Sequence, residues 1–236
     1  MEFNIKGSYH TEGMELREKE GIPFLIFPHF ERTGLVRQGF STRLGGVSRN
    51  EFSSMNFSAS RGDDPAAVQE NYKRMMHVLE MEQERLVLSH QTHTTNIRVV
   101  SEADAGKGFN RERDYEEIDG LMTDRPGLPL VTFYADCIPL YFLDPVHKAI
   151  ALSHAGWRGT VAGMAAITIR KMGDVYGSKP GDLLVGIGPG ICGDCYEVGP
   201  EVAEAFLKDW PEDICREILK AKDNGKYQLD LKWANA

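Results

Sequence analysis

A mixed α/β chain organised as one domain, 1–236, is expected from three features of the sequence. Apolar runs of strand length, Leu130 to Tyr134, Pro139 to Leu143, Lys148 to Ser153 and Leu183 to Ile187, read as strands buried on both faces. Helical spacing or small-residue helical text separates and follows them, at Asp64 to Leu79, Thr160 to Met172 and Gly199 to Lys208. No internal repeat or low-complexity linker divides the chain, and 236 residues with 42% apolar content suffice for a sizeable core.

Each element has its own justification. The first 25 residues interleave charged and apolar positions without a continuous apolar core, so neither a signal peptide nor a membrane span is expected and the chain reads as cytoplasmic. Two short strands lie between Ile22 and Ser41, followed by a loop hinged at Gly45-Gly46, where positive φ would let backbone approach a ligand. Asp64 caps a helix with Pro65 at its first position, and Val68, Tyr72, Met75, Met76 and Leu79 form its core stripe. Arg85 to His93 and Asn96 to Val100 read as two strands joined by a polar turn, and Ser101 to Glu117 as a surface loop. A strand at Gly120 to Thr123 opens the apolar block, whose turns are Asp124-Arg125-Pro126-Gly127 and Asp144-Pro145. The charged tail from Pro211 onward is less informative.

Charge and cysteine usage exclude whole classes of function. Lys+Arg total 27 against 35 Asp+Glu, a net charge of −8, with no basic stripe interleaved with aromatics, so nucleic acid is not an expected partner. Four cysteines, Cys137, Cys192, Cys195 and Cys215, are too few and too unevenly placed for a disulfide framework.

The residues that could do chemistry gather at predicted strand ends. His93, Cys137 and His154, separated by 44 and 17 positions, offer the imidazole and thiolate ligands that zinc favours, and three such ligands leave a coordination position for water. The same atoms also fit a Cys–His nucleophilic pair, with Cys137 attacking, His154 or His93 as base and Asp136 as orienter; Cys137 as a buried small hydrophobe is a third reading. Asp136 fits equally a group holding a ligand histidine in place. Arg43, at the root of the glycine loop, and Arg158, at the start of the Thr160 helix, each present a guanidinium beside backbone N–H groups and are candidates for phosphate or carboxylate. Cys192-Gly-Asp-Cys195 has CxxC spacing but no second pair and no thioredoxin-like helix after it. His10, His29, His77 and His147 have no identifiable partners, and His90 is expected to point away from His93.

Taken together, Phe40-Ser-Thr-Arg-Leu-Gly-Gly-Val-Ser48, Asp63-Asp-Pro65 with Asn71, Gln91-Thr-His93, Asp119-Gly-Leu121, Ala135-Asp-Cys-Ile-Pro139, His154-Ala-Gly-Trp-Arg-Gly159 and Gly188-Pro-Gly190 with Cys195-Tyr-Glu-Val-Gly199 resemble the YfiH-like, or laccase-domain, family. The resemblance runs from about residue 35 to residue 232. It implies a single domain of two mixed β-sheets flanked by helices in α/β/β/α layers, and a zinc site at His93, Cys137 and His154. It implies a purine nucleoside phosphorylase that also deaminates adenosine and cleaves methylthioadenosine, with nucleosides and phosphate as partners and Arg43 as phosphate clamp by position. The older polyphenol oxidase label implies copper, but the chain lacks the His-x-His pairs of a multicopper cluster. An amidase acting on peptidoglycan precursors is the other enzyme reading the family admits. Two departures stand out: Tyr72 follows Asn71 where Arg is usual, and relatives continue for some tens of residues beyond Ala236, so this chain is expected to lack their C-terminal segment. Oligomeric state is left open.

Overall fold

The computed structural model describes residues 13–236, which leaves His10 outside it. The chain divides into two compact units, one ending at Gln83 and one spanning Glu84–Ala236. In the first, β1 (Glu15–Lys19), β2 (Ile22–Ile26) and β3 (Phe40–Ser41) form an antiparallel sheet, with the short α1 (Pro28–Glu31) between β2 and β3. The long α2 (Pro65–Leu79) starts as its text predicts: the Asp64 carboxylate accepts the Ala66 N–H, and Pro65 occupies the first turn. Its apolar stripe, including Tyr72, Met75, Met76 and Leu79, is buried. Asn71, fully buried on α2, accepts the Val47 N–H at 2.8 Å and donates to Ser48 Oγ and the Asn56 carbonyl, pinning the glycine loop to the helix. Gly45 adopts φ 87°, and Gly46 lies against the Ser54 carbonyl where any Cβ would collide. The glycine pair thus serves close approach of the loop to its own chain. Tyr72 donates to the Phe57 carbonyl and meets the Phe57 ring edge-on, a scaffold role for that departure.

The second unit is built on a five-stranded mixed sheet in the order β10-β8-β9-β6-β5. Its members are β5 (Ile97–Val99), β6 (Gly120–Thr123), β8 (Ile138–Asp144), β9 (Ala149–Ala155) and β10 (Leu184–Ile187). All seven residues of β8 are buried, as its unbroken apolar run requires. Two smaller sheets accompany it: β4 (Val87–Leu88) with β7 (Leu130–Val131), parallel, and β11 (Glu197–Val198), β13 (Tyr227–Leu229) and β12 (Leu219–Ala221), antiparallel. The mixed α/β class is borne out, with the strands shared among four sheets. Helices α3 (Trp157–Val161), α4 (Met164–Tyr176), α5 (Pro200–Asp209) and α6 (Glu212–Ile218) complete the unit, and Met164, Met172, Phe206 and Ile218 join Ile138, Leu140 and Phe142 in its main core. Among the described residues no helix is long and apolar enough to cross a membrane.

Three sequence expectations are corrected here. The stretch expected as one helix from Thr160 is two, because Gly163 takes φ 78° and ends α3 before α4 starts. The strand expected at Leu130 to Tyr134 stops at Val131, because Phe133 gives its N–H to Gln91 Oε1 and its carbonyl accepts from Gln91 Nε2. The segments around Val87 and Ile97 are not a hairpin: β4 pairs with β7 and β5 with β6. The loop Ser101 to Glu117 is pinned by the buried Lys107, which bonds Asp104 at 2.9 Å and Asp114 at 2.8 Å. Burial would raise the Asp104 carboxyl, but Lys107, the Ser101 N–H and Arg98 outweigh it and hold it far below the carboxylate range.

Candidate metal centre and active site

Strand register assembles the site. Antiparallel pairing of β8 with β9 sets Pro139 opposite His154 and Ile138 opposite Ala155, so Cys137, the residue before β8, lies beside the end of β9. Pairing of β6 with β9 sets Gly120 opposite Ser153, and the Asp119 carbonyl accepts the His154 N–H at 2.8 Å. In the bend before β8 the thiol of Cys137 is half-buried and the carboxylate of Asp136 exposed.

The third member arrives on a turn. His93 has φ 66°, a left-handed conformation that costs a residue with a Cβ unless its surroundings impose it. Asp119 imposes it: its carboxylate accepts the consecutive N–H groups of Thr92, His93 and Thr94 at 3.0, 3.0 and 2.9 Å, and the Thr94 hydroxyl at 2.9 Å. The same carboxylate accepts the His154 Nδ1–H at 2.8 Å, which turns Nε2 of that ring toward the centre of the site. Asp119 is fully buried and was given no role by sequence reasoning, although Asp119-Gly-Leu121 was among the segments that carried the resemblance. The orienting role considered for Asp136 therefore belongs, at His154, to Asp119.

As a result the ligand atoms of His93, Cys137 and His154 all lie within 4.8 Å of one another. The two imidazole rings meet edge-on with centroids 5.0 Å apart. Burial alone would lower the His154 pKa, but its hydrogen bonds with Asp119 and Cys137 raise it to about 9. Burial likewise works against the Asp119 carboxylate, yet His154 and the turn's donors bring it down to about 2. Gly156 completes the wall: a Cβ there would stand 2.8 Å from His93 Cδ2 and 3.0 Å from Cys137 Sγ.

The donor set is the fit test for a metal. Two imidazoles and a thiol, one imidazole backed by a carboxylate, match a three-ligand site for a borderline-soft ion. Among the described residues this is the one convergent group of three or more His, Cys, Asp or Glu ligands. Arg158, on α3, is exposed and stacks its guanidinium over the Trp157 ring at 4.3 Å. In the other unit, Arg43 donates to the Glu51 and Ser53 carbonyls through Nε and Nη2. His90 accepts the Glu117 N–H at Nδ1 and takes no part in the group.

The chain is similar to known proteins over most of its length. Purine nucleoside phosphorylase of Bacteroides thetaiotaomicron is 36% identical over 196 residues, covering 83% of this chain and 72% of that protein. Adenosine deaminase RL5, from an unknown prokaryotic organism, is 34% identical over 202 residues, covering 84% and 76%. The crystal structure of the hypothetical protein YfiH of Bacillus licheniformis matches with a TM-score of 0.85 and 32% identity over 93% of this chain and 81% of that one. The family model described as multi-copper polyphenol oxidoreductase laccase matches residues 37–236, and the chain belongs to that family.

Proposed function

We propose that this protein is a zinc enzyme of purine nucleosides, with phosphorylase activity toward nucleosides including methylthioadenosine and deaminase activity toward adenosine. The observation that carries the reading is the His93, Cys137 and His154 group held by one buried carboxylate, Asp119. Relatives named purine nucleoside phosphorylase and adenosine deaminase supply the substrate class.

Zinc held there would supply a Lewis acid and a water activated near neutral pH. The chain's own residues do the rest. Asp119 keeps the His154 Nδ1 protonated and presents Nε2 as a ligand, while its grip on three N–H groups holds the His93 ring in place. In deamination a water oxygen bonds to C6 of the adenine ring and ammonia departs; Asp136, exposed at the strand end, is the proposed proton carrier. In phosphorolysis a phosphate oxygen bonds to C1′ as the bond to the purine nitrogen breaks. Arg158 and Arg43 are the proposed phosphate-binding groups, and stacking on Trp157 fixes the plane of the Arg158 guanidinium.

A second reading has an observation of its own. Cys137, His154 and Asp119 form a hydrogen-bonded series in the order nucleophile, base and orienter, as an amidase would use. Copper oxidation by a multicopper cluster lacks such support, since the described residues converge into one ligand group. The deciding experiment measures metal content of the purified protein, then incubates it with adenosine, inosine and phosphate before and after chelation, read by chromatography. Zinc together with chelator-sensitive base release or ammonia is expected; no metal and neither product refutes the proposal. Cys137→Ser should lose zinc and activity together. Retained zinc with lost activity would favour the nucleophile reading.

A further inference from the structure

We propose that Cys192 and Cys195 form a thiol–disulfide exchange site whose closure stiffens the strand end bearing Cys137. Both thiols are exposed. Their four-residue segment is a turn: Cys195 N–H and Tyr196 N–H both donate to the Cys192 carbonyl, at 3.0 and 3.1 Å. Such a turn brings its end Cα atoms within about 7 Å, inside the span a disulfide bridges. The two thiols already share a hydrogen bond. That bond, aided by the Cys195 and Asp194 N–H groups and opposed by desolvation and the Asp194 charge, pulls the Cys192 thiol below its ordinary value. Both sulfurs are open to solvent, and in the proposed exchange Cys192 attacks and Cys195 resolves. A zinc-knuckle role does not fit, because among the described residues the pair joins no group of three or more ligands.

The exchange partner is a low-molecular-weight disulfide. Cys192 thiolate attacks one of its sulfurs, the reagent's S–S bond breaks, and one small thiolate leaves as a mixed disulfide forms. Cys195 loses its proton to solvent and attacks Cys192 Sγ; the mixed disulfide breaks and the second small thiolate leaves. Two protein thiols are oxidised and one small disulfide is reduced to two thiols.

The segment before the pair lies directly on the strand end. Ile191 N–H donates to the Asp136 carbonyl and Gly188 N–H to the Pro139 carbonyl, each at 2.8 Å. Gly190 is so close that a Cβ would stand 2.8 Å from the Asp136 oxygen and 3.2 Å from that of Cys137. On its other side Gly193 abuts Asp230, a Cβ there standing 3.0 Å from the Asp230 Cβ. A crosslink from 192 to 195 removes backbone freedom from a segment held at both sides.

The test equilibrates the purified protein with glutathione disulfide or with reduced glutathione, maps crosslinks by peptide mass spectrometry, and follows amide hydrogen exchange at Gly188 and Ile191. A reversible 192–195 crosslink that slows exchange at Ile191 at least about threefold is expected. The C192S/C195S double variant should show no redox response at either amide. Absence of the crosslink, a glutathione adduct that never closes, or closure with unchanged exchange would each overturn the proposal.

Discussion

Asp119 accepts five hydrogen bonds from two ligand-bearing segments, so no single substitution at that position is conservative. Asp119→Asn replaces one acceptor oxygen by a donor that faces donors. It should cost about 3 kcal/mol of stability, read by urea unfolding, and lower metal affinity about 10- to 100-fold, read by chelator competition. Gly156→Ala separates these two effects. Its backbone, at φ −76° and ψ 176°, suits alanine, and the three atoms nearest the added methyl all belong to His93 and Cys137. A larger loss of metal affinity than of folding stability is expected, the latter about 1–3 kcal/mol. At this scale the sequence was legible where chemistry is carried by residue type: His93, Cys137 and His154 stood out as zinc-type ligands. Asp119 did not, because its partners are set by the pairing of β6 with β9 and by a left-handed turn, neither of which leaves a local pattern. Asp136 drew the orienting role by adjacency to Cys137, but it is exposed in the bend before β8 and the bond to His154 Nδ1 is made by Asp119.

Elements were most legible where start and stop signals are chemical. The bounds of α2 follow from the Asp64 cap, Pro65 and the left-handed Glu80 at its end, whereas the break between α3 and α4 rests on one glycine within a run of helix-forming text. β7 was read too long because a distant side chain, Gln91, took over its backbone groups. The turn between β8 and β9 carries a testable electrostatic device. Asp144, with no exposed side-chain surface, accepts the Val146 and His147 N–H groups at 2.8 and 3.0 Å and bonds His147 Nδ1 at 2.8 Å. Burial would raise its pKa, but Ser178 and His147 among its donors bring it from 3.8 to about 2. A folded-state pKa below the unfolded one means that the unfolded chain binds more protons in this window. The stabilisation is therefore complete above pH 3.8 and lost as pH falls toward about 2. Asp144→Asn should be about 1–3 kcal/mol less stable at neutral pH, with the deficit shrinking through that window in urea titrations run at successive pH values. A deficit unchanged down to the acid end would exclude the charge as its source.

For the molecule as a whole, the ligand set joins a turn before β5, the start of β8 and the end of β9, positions brought together only by the folded sheet. Binding free energy at such a site adds to folding free energy. With the zinc proposed here in hundredfold excess over its Kd, the unit from Glu84 gains about 2.7 kcal/mol, and chelation should lower its thermal midpoint by several degrees. The gain must depend on pH, with a definite sign. Without metal, the His154 pKa of about 9 lies above its ordinary 6.5, so the charged imidazole's pairing with Asp119 stabilises the fold fully below pH 6.5, and that contribution fades as pH rises through 9. Metal binding needs the neutral ring and must displace this proton, so apparent affinity climbs about tenfold per pH unit between 6.5 and 9 and then levels for this group. The zinc-induced rise in midpoint should accordingly be small at pH 6.5 and large near pH 9, and calorimetry in buffers of different ionisation enthalpy should detect proton release on binding. In Asp119→Asn, which lacks the charge that holds the proton on His154, the pH dependence should move toward lower pH even as the affinity falls. A zinc response independent of pH across this range would show that His154 does not ligate the metal.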